Sequence, residues 1–569
     1  MLLSFTLLLL VSVSFSPVLA RKKGYPPTTI HDPPPPPPPV GTAAAAFTNT
    51  AYYFDQLIDH NNPSRGTFKQ RYFFSDEFWT RQGAPIVIMN PGEQSADGFD
   101  AELTSPASLQ RAIMMSLGAA GVVLEHRYWG QSSPYQTLST ANLRYLNVDQ
   151  AIEDTRYFVD HVKLPWTKKA TSSHPDVVPW VNLGCSYPGV LTAYTQKKYP
   201  KKFAAAWASS APVQALGDFW QYFEPIEEGM PKNCSKDVAA AIKQIDQTLL
   251  YGSNTDKTKL KESFGFSNLK DDDFGQVLVY PMYSWQSMQA SSYATSGEDP
   301  FYQFCDAIET RPDGKIEMLA KGVGMPTALN NYAKWMKAQW ATGCGAGQGG
   351  GCYSSYNYNS DQYTDWSINN RWDRQWRWMV CNEFGWFQDG DPGNYSSIVS
   401  SLVTAGYNLR QCNHMFPNAD GSIGSFYPDT FDNNEDHGGG WNLRARNLFV
   451  VNGQFDPWRS ASLSSRWAPK FRNTPHQRVE VVRGGHHCWD WNLYGAQYDR
   501  DVKRVVDIGV KRVKKWVRQW YRAHRKVENS MPKGRIKDIV LDRLVHGPVW
   551  VVYGSLWLID TSSGSNDNH

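Results

Sequence analysis

Apolar and polar positions along the chain follow two rhythms. Short apolar runs at 68–74, 85–89, 121–125 and 177–183 are the length of strands, and Gly, Pro or polar clusters bound them. Segments 106–117, 149–163 and 190–198 instead read as helices. Strand and helix alternating in this way argue for a mostly parallel sheet with helices on its faces, the α/β class. From 214 to 441 the rhythm is lost and the composition shifts toward Trp, Tyr, Asn, Asp and Gly, as in 353–378. That stretch reads as a mainly helical cap inserted into the sheet domain. The rhythm returns at 447–451 and 479–482, each running into a turn that contains Gly. A final segment, 502–521, sets Val502, Val506, Val513, Trp516, Val517 and Trp520 at helical spacing.

The ends of the chain differ from this middle. Residues 1–20 carry an apolar run closing on Val18-Leu19-Ala20 before Arg21 and Lys22, which reads as a secretory signal peptide. Residues 33–39 are all proline and can form only a stiff polyproline II rod. The expected organisation is a leader at 1–20, a Pro-rich spacer or propeptide at 21–50, the sheet domain at 51–213 and 442–527, the cap at 214–441 and a C-terminal extension at 528–569. The apolar stretch 545–559 is interrupted by Gly547, Pro548, Gly554 and Ser555, so no stable membrane insertion is expected.

Composition narrows the function. A formal charge of +3 on 569 residues sets up no field that would recruit nucleic acid. Aromatic residues make up 14% of the chain at a mean hydropathy of -0.50, so many rings must sit in polar surroundings, which suits a binding groove. The basic side chains of the last helix, Lys503, Arg504, Lys511, Arg512, Lys514, Lys515 and Arg518, read as a solvated face. Export would place the 8 cysteines in an oxidising compartment. Cys344 and Cys352 bracket a Gly-rich loop and can close it, and Cys234, Cys305, Cys381 and Cys412 can supply two more bridges. Whether Cys185 and Cys488 pair is open. Asn233-Cys234-Ser235 and Asn394-Tyr395-Ser396 fit the glycosylation acceptor pattern.

The chemistry sits where strands end. The 177–183 run leads into Gly184-Cys185-Ser186-Tyr187-Pro188-Gly189 and then a helix, the setting of a nucleophile elbow. The Tyr187 N–H, at the helix start, is the candidate oxyanion donor. Pro188 stands where G-x-S-x-G has its second Gly, and the first helical turn tolerates it. The competing reading is a capping serine in an ordinary turn. An acid and then a histidine follow, in the chain order of α/β-hydrolases. Asp456 lies after the 447–451 strand, and Pro457 biases it toward an extended backbone; it could also be a plain turn residue. Arg483-Gly484-Gly485-His486-His487-Cys488-Trp489-Asp490 follows the 479–482 strand, and chemistry alone does not choose between the two histidines. A metal reading is weak, because adjacent side chains diverge and no further ligand cluster appears. Neither metal nor organic cofactor is called for.

With these sites in place the chain resembles the S28 serine peptidases, the family of lysosomal Pro-Xaa carboxypeptidase, dipeptidyl peptidase II and fungal prolyl endopeptidases. The resemblance is carried by Phe54-Asp55-Gln56-Leu57-Ile58-Asp59-His60, Glu125-His126-Arg127-Tyr128-Trp129-Gly130, Leu143-Arg144-Tyr145-Leu146, the Ser186 elbow, Ser209-Ser210-Ala211-Pro212-Val213, Glu383-Phe384-Gly385-Trp386-Phe387-Gln388 and Asn452-Gly453 through Trp458. It implies an α/β-hydrolase fold with a helical cap and hydrolysis on the carboxyl side of proline. A histidine loop like G-x-H-x-x-D favours His487 as base, with His486 the alternative. It further implies an apolar proline pocket lined by Trp458, Val190 and Trp386, and a second oxyanion donor from the backbone near Gly92 and Glu93. Glu93, Glu125 and Glu383 could bind a peptide terminus, or serve structural hydrogen bonds instead.

The resulting expectation is a serine peptidase acting on proline-containing peptides, secreted or delivered to a lysosome or vacuole, with Ser186, Asp456 and His487 as its triad. An esterase or lipase on the same scaffold and a non-catalytic secreted binding protein are the rival readings.

Overall fold

A computed structural model describes residues 50–167, 173–290, 299–344, 350–393 and 397–524, without the Thr342 and Cys344 side chains. The leader, the proline run, the C-terminal extension and the Asn394 acceptor lie outside these residues. Eight strands form one sheet in the order β1-β2-β4-β3-β5-β6-β7-β8. They are β1 (Tyr52–Leu57), β2 (Thr67–Ser75), β3 (Ile86–Met89), β4 (Ala120–Leu124), β5 (Trp180–Cys185), β6 (Phe203–Ser209), β7 (Leu448–Gly453) and β8 (Gln477–Val482). β2 pairs antiparallel with both β1 and β4, and every other neighbouring pair is parallel, so β2 alone runs against the rest. This order, with the elbow directly after β5, is that of the α/β-hydrolase fold.

Every residue of β3, β4, β6 and β7 is buried, as expected of parallel strands covered on both faces. Alternate residues serve different layers. Val87, Met89, Val123, Trp207 and Phe449 pack with α1 (Leu109–Leu117) and the C-terminal helix, whereas Ile86, Ile88, Val122 and Leu124 pack with Phe158 and Val159 of α2 (Val148–His161). The C-terminal helix, Arg500–Ala523, buries Val502, Val505, Val506, Val513, Trp516, Val517 and Trp520, so its apolar stripe is spent on the sheet. Among the described residues no helix is long and apolar enough to cross a membrane.

Periodicity missed two strands, β1 and β6. β6 reads FAAAWAS, and four alanines carry helix propensity rather than the β-branched signature of a strand. The small residues answer to packing. The C-terminal helix crosses β6 so closely that a Cβ on Gly509 would lie 2.2 Å from the Trp207 ring and 2.6 Å from Phe449.

Between β6 and β7 the described residues contribute helices and no sheet strand. They include α4 (Lys232–Tyr251), α5 (Asn254–Phe264), α6 (Pro300–Ile308), α7 (Met325–Gln339), α8 (Arg374–Met379) and α9 (Ala405–Met415); the C-terminal helix is α10. Their core is continuous with that of the sheet: one cluster joins Ala206, Ala208, Leu448 and Val450 to Ile242, Phe304, Tyr332 and Met415. Cys234–Cys305 ties α4 to α6, Cys381–Cys412 ties the turn after α8 to α9, and a third bridge joins Cys185 to Cys488. The expected Cys344–Cys352 closure involves a side chain outside those described. In the first turn of α4 the Asn233 amide nitrogen donates to the Glu317 carbonyl at 2.7 Å, so a glycan there would have to leave that bond to the one remaining N–H.

Replacing an interior helical Gly by Ala ordinarily stabilises by about 1 kcal/mol. Gly509→Ala should do the reverse, lowering stability by about 1–3 kcal/mol through overpacking against Trp207. Denaturant unfolding of the two proteins reads the sign directly.

Candidate active site

Ser186 caps the helix that runs Tyr187–Lys198, here α3, with φ +63° and ψ −131°. A non-glycine residue holds that backbone only when its surroundings over-determine it. The constraint is close approach: a Cβ on Gly184 would sit 2.1 Å from the Pro188 carbonyl oxygen. The Ser186 N–H donates to the Ser209 carbonyl at 2.9 Å, fastening the turn to β6. From Trp180 to Gln196 only Cys185 and Ser186 are part-exposed, and the residues that support them are buried. Tyr187 N–H, the first amide of α3, has no partner among the described residues and points from the helix start, as an oxyanion donor requires. Pro188 fits because it faces a residue without a side chain; a Cβ on Gly92 would lie 2.6 Å from its ring.

The acid and base loops leave adjacent strands and are sewn together. Gln454 N–H donates to the Val482 carbonyl and Phe455 N–H to the Gly485 carbonyl, both at 2.8 Å. Gly453 permits this, since a Cβ there would meet the His486 carbonyl oxygen at 2.2 Å. Asp456 is fully buried in an extended backbone, φ −66° and ψ 120°, ahead of Pro457. Its Oδ1 accepts from Trp458 N–H at 3.0 Å and from His487 Nδ1 at 2.9 Å. That bond fixes the imidazole tautomer and leaves Nε2 as the proton-accepting nitrogen. Nε2 is buried without a hydrogen bond among the described residues, and none joins it to Ser186. His486 turns away: its Nδ1 donates to the Trp285 carbonyl at 3.2 Å and its ring stacks on Trp489. Burial pulls its pKa down to about 4, so it is a neutral packing residue rather than the alternative base.

Three further residues of the family-like motifs support the site. Asp490, the last residue of the histidine-loop motif, is buried and accepts from Ser209 Oγ at 2.5 Å and Trp207 Nε1 at 2.9 Å, mooring the base loop to β6. Cys488 N–H donates to Ser210 Oγ at 2.9 Å, a second mooring. His126 lies under the elbow. Its Nδ1 donates to the Arg127 carbonyl, so Nε2 accepts the Tyr187 hydroxyl at 2.9 Å, and burial lowers its pKa to about 4.

Trp458 and Trp386, expected to line a proline pocket, belong to an aromatic chain and are themselves buried, 7% and 2% exposed. Tyr187 contacts Trp376 and Phe384, Phe384 stacks on Trp386 at 4.1 Å and 4°, and Trp386 meets Trp458 edge-on at 5.5 Å. It runs from the residue after Ser186 to a residue two beyond Asp456, with its middle supplied by the helical insertion. Trp458 Nε1 donates to Gln286 Oε1 at 2.7 Å and Trp386 Nε1 to the Gln214 carbonyl at 2.8 Å, which orients both indoles.

Several expected roles need correction. Val190 has no accessible surface; facing inward from α3, it backs this wall and does not line an open pocket. Gly92 N–H donates to Asn90 Oδ1 at 2.7 Å, an internal bond that takes it away from an oxyanion, so of the expected pair the Glu93 amide becomes the candidate. Glu125 is fully buried and accepts from Arg71, the Ala96 and Gln131 amides and Ser132, leaving nothing for a peptide terminus. Glu383 accepts from Val148 N–H at 3.0 Å at the start of α2, a helix-capping position. The one grouping of metal-ligand type among the described residues, Cys185, His487 and Cys488, has its two sulfurs bonded to each other.

Comparison with known proteins gives the family of the chain. Residues 56–506 match the family described as Serine carboxypeptidase S28. The serine protease vicPb of Bipolaris victoriae is 34% identical over 487 residues, covering 82% of this chain and 89% of its own. A probable extracellular serine carboxypeptidase of Arthroderma benhamiae is 28% identical, covering 83% and 67%, and the human thymus-specific serine protease is 26% identical, covering 77% and 80%. Among solved structures, proline iminopeptidase from Mycobacterium smegmatis aligns over 82% of this chain and 99% of its own at 9% identity, with a TM-score of 0.29. At that score the fold assignment rests on the strand order alone.

The two neutral histidines set a pH dependence. His126 and His486 have folded pKa values near 4, below the ordinary value of 6.5, so between those limits the unfolded chain binds protons that the native state refuses. Stability should therefore fall as pH drops from about 6.5 to about 4, by up to about 1.4 kcal/mol per pH unit for each ring. Thermal melts across that range should show a shallower slope for His486→Gln than for wild type.

Proposed function

The chain belongs to the Serine carboxypeptidase S28 family and is a serine-type peptidase, and on that premise we propose that it cuts peptide bonds on the carboxyl side of proline through a Ser186, His487 and Asp456 acyl-enzyme mechanism. The observation that carries this reading is the buried Asp456–His487 bond of 2.9 Å, leaving an unpartnered Nε2 on the loop bridged to the elbow. His487 Nε2 takes the proton of Ser186 as Oγ attacks the carbonyl carbon after proline. Substrate binding draws the hydroxyl and the ring into contact, as is common where an unliganded site is loose. Buried Asp456 stabilises the imidazolium that forms, and does so more strongly than it could in water.

The tetrahedral oxyanion is received by the Tyr187 N–H, with the Glu93 amide as second donor. His487 then returns the proton to the leaving amine, and water, activated by the same nitrogen, releases the acyl group. Proline selectivity is assigned to the wall of Trp386 and Trp458. A flat, apolar ring buries against aromatic faces with no polar atom left unpaired. Tyr187, the residue after Ser186, begins this aromatic chain, which supports proline in the position just before the cleaved bond. Bridges at three places in the described chain fit an oxidising compartment outside the cytosol, consistent with a relative named extracellular.

The test is hydrolysis of a long proline-containing peptide with products read by mass spectrometry. Cleavage after proline by wild type and a loss of at least about 10⁴-fold in kcat for Ser186→Ala are expected. Equal activity in the two proteins removes the mechanism, and turnover of acyl esters without cleavage after proline moves the assignment to an esterase.

A further inference from the structure

The bridge between Cys185 and Cys488 is distinguished by its location. It joins the residue before Ser186 to the residue after His487 and links points 303 residues apart in sequence. The other two described bridges lie within the helical insertion with all four cysteines buried. Cys185 keeps accessible surface on the rim that presents Ser186. A thiol entering the cleft can therefore reach this bridge and not those two. The two sulfurs and a ring nitrogen of His487 all lie within 4.8 Å of one another. Ser186 and Cys488 both hold positive φ, +63° and +56°, so the bridge connects two turns that each store strain.

Resting on the assignment of Ser186 and His487 above, we propose that Cys185–Cys488 is a redox-operated positioning element of the catalytic pair. Bridged, it holds the base loop against the elbow. Opened by a dithiol, it frees thiols that engage the imidazole and stop acyl transfer. A thiolate of the reductant attacks Cys185 Sγ, the S–S bond breaks, and Cys488 leaves as a thiolate. The reductant's second thiol then attacks its own sulfur in the mixed disulfide, Cys185 leaves as a thiolate, and the reductant departs as a cyclic disulfide. Two electrons have passed to the protein, and the dithiol's two protons are taken up by the cysteine sulfurs or by solvent.

A thiol this close to an imidazole can transfer its proton to it, giving a thiolate–imidazolium pair. With Asp456 already at Nδ1, that pair is favoured, and a protonated His487 cannot accept the proton of Ser186. An inert cross-link would affect stability and kcat; this one also changes the pH dependence of the rate.

The experiment uses the full chain carrying Cys344→Ala and Cys352→Ala, because Cys352 is exposed and disulfide-bonded. It is titrated with dithiothreitol under native conditions, with free thiols alkylated and located by mass spectrometry, the fold followed by circular dichroism and rates measured on a proline-containing peptide across pH. Cys185 and Cys488 should be the first to be alkylated. With the fold intact, kcat should fall at least about tenfold while KM changes less than about twofold, the pH profile should shift, and reoxidation should restore both. The Cys185→Ala, Cys488→Ala double variant should show a lowered kcat with the oxidised pH profile, since it has no thiol to pair with His487. A fully reduced pair with the kcat and pH profile of the oxidised enzyme overturns the proposal. If reduction instead melts the protein, wild-type kcat in the double variant overturns it. Fluorophosphonate labelling of the oxidised protein separates the two readings. No label at Ser186 defeats the catalytic assignment itself, whereas a label that reduction leaves unchanged defeats only the redox step.

Discussion

Two consecutive buried serines at the end of β6 hold the candidate site together. The Ser209 carbonyl accepts the Ser186 amide, and Ser209 Oγ donates to Asp490 in the histidine loop. Ser210 N–H donates to the Val451 carbonyl on the acid strand, and Ser210 Oγ accepts the Cys488 amide. Elbow, acid strand and base loop, more than 300 residues apart at their extremes, are thus referred to one point in the sheet. All of these residues except Ser186 are buried, so losing one partner strands the other at a cost of about 1–3 kcal/mol. That penalty defines the geometry more sharply than apolar packing, which tolerates small shifts.

The electrostatics follow from the same burial. A carboxylate at Asp456 with no accessible surface is costly unless hydrogen-bonded, and it accepts from Trp458 N–H and His487. Its other oxygen, Oδ2, has no partner among the described residues, which leaves it poised to gain when positive charge develops on the imidazole. The rings of His126 and His486 are kept neutral by burial and add no charge of their own, and the cation whose field reaches Asp456 is Arg459.

Much of this was legible in the sequence because it is local. A strand, small residues around a serine and a helix are contiguous, and the turns holding Asp456 and His487 each follow an apolar strand. What escaped depends on contacts between distant segments. β6 is written in alanines because α3 and α10 press on it, a demand visible only once Gly509 is seen against Trp207. The pairing of Cys185 with Cys488 was open because nothing short of the folded rim brings them to a Cα separation of 6.1 Å. Glu125 looked like a ligand for a peptide terminus, yet Arg71 reaches it from β2, a partner that spacing does not reveal. Ser209 and Ser210 lie in a contiguous motif whose purpose depends on four bonds to segments distant in sequence.

The departure from G-x-S-x-G shows how such constraints trade against one another. Glycine at 188 would relieve the turn locally, whereas proline fixes φ in the first turn of α3 and has no N–H for a helix start to leave unsatisfied. Its ring then needs room, and Gly92 on the loop after β3 provides it. Pro188 therefore couples the elbow to the loop from which the proposed second oxyanion donor is drawn. On the opposite side the Tyr187 ring couples the elbow to Trp376 and Phe384 of the insertion, and through Trp386 to Trp458 beside the acid. The insertion cannot shift relative to the sheet without disturbing this aromatic chain, because its core and the sheet's are one. On the proposed mechanism, substrate selection and oxyanion geometry would be set by the same packing, and a sequence change that loosens one should loosen the other.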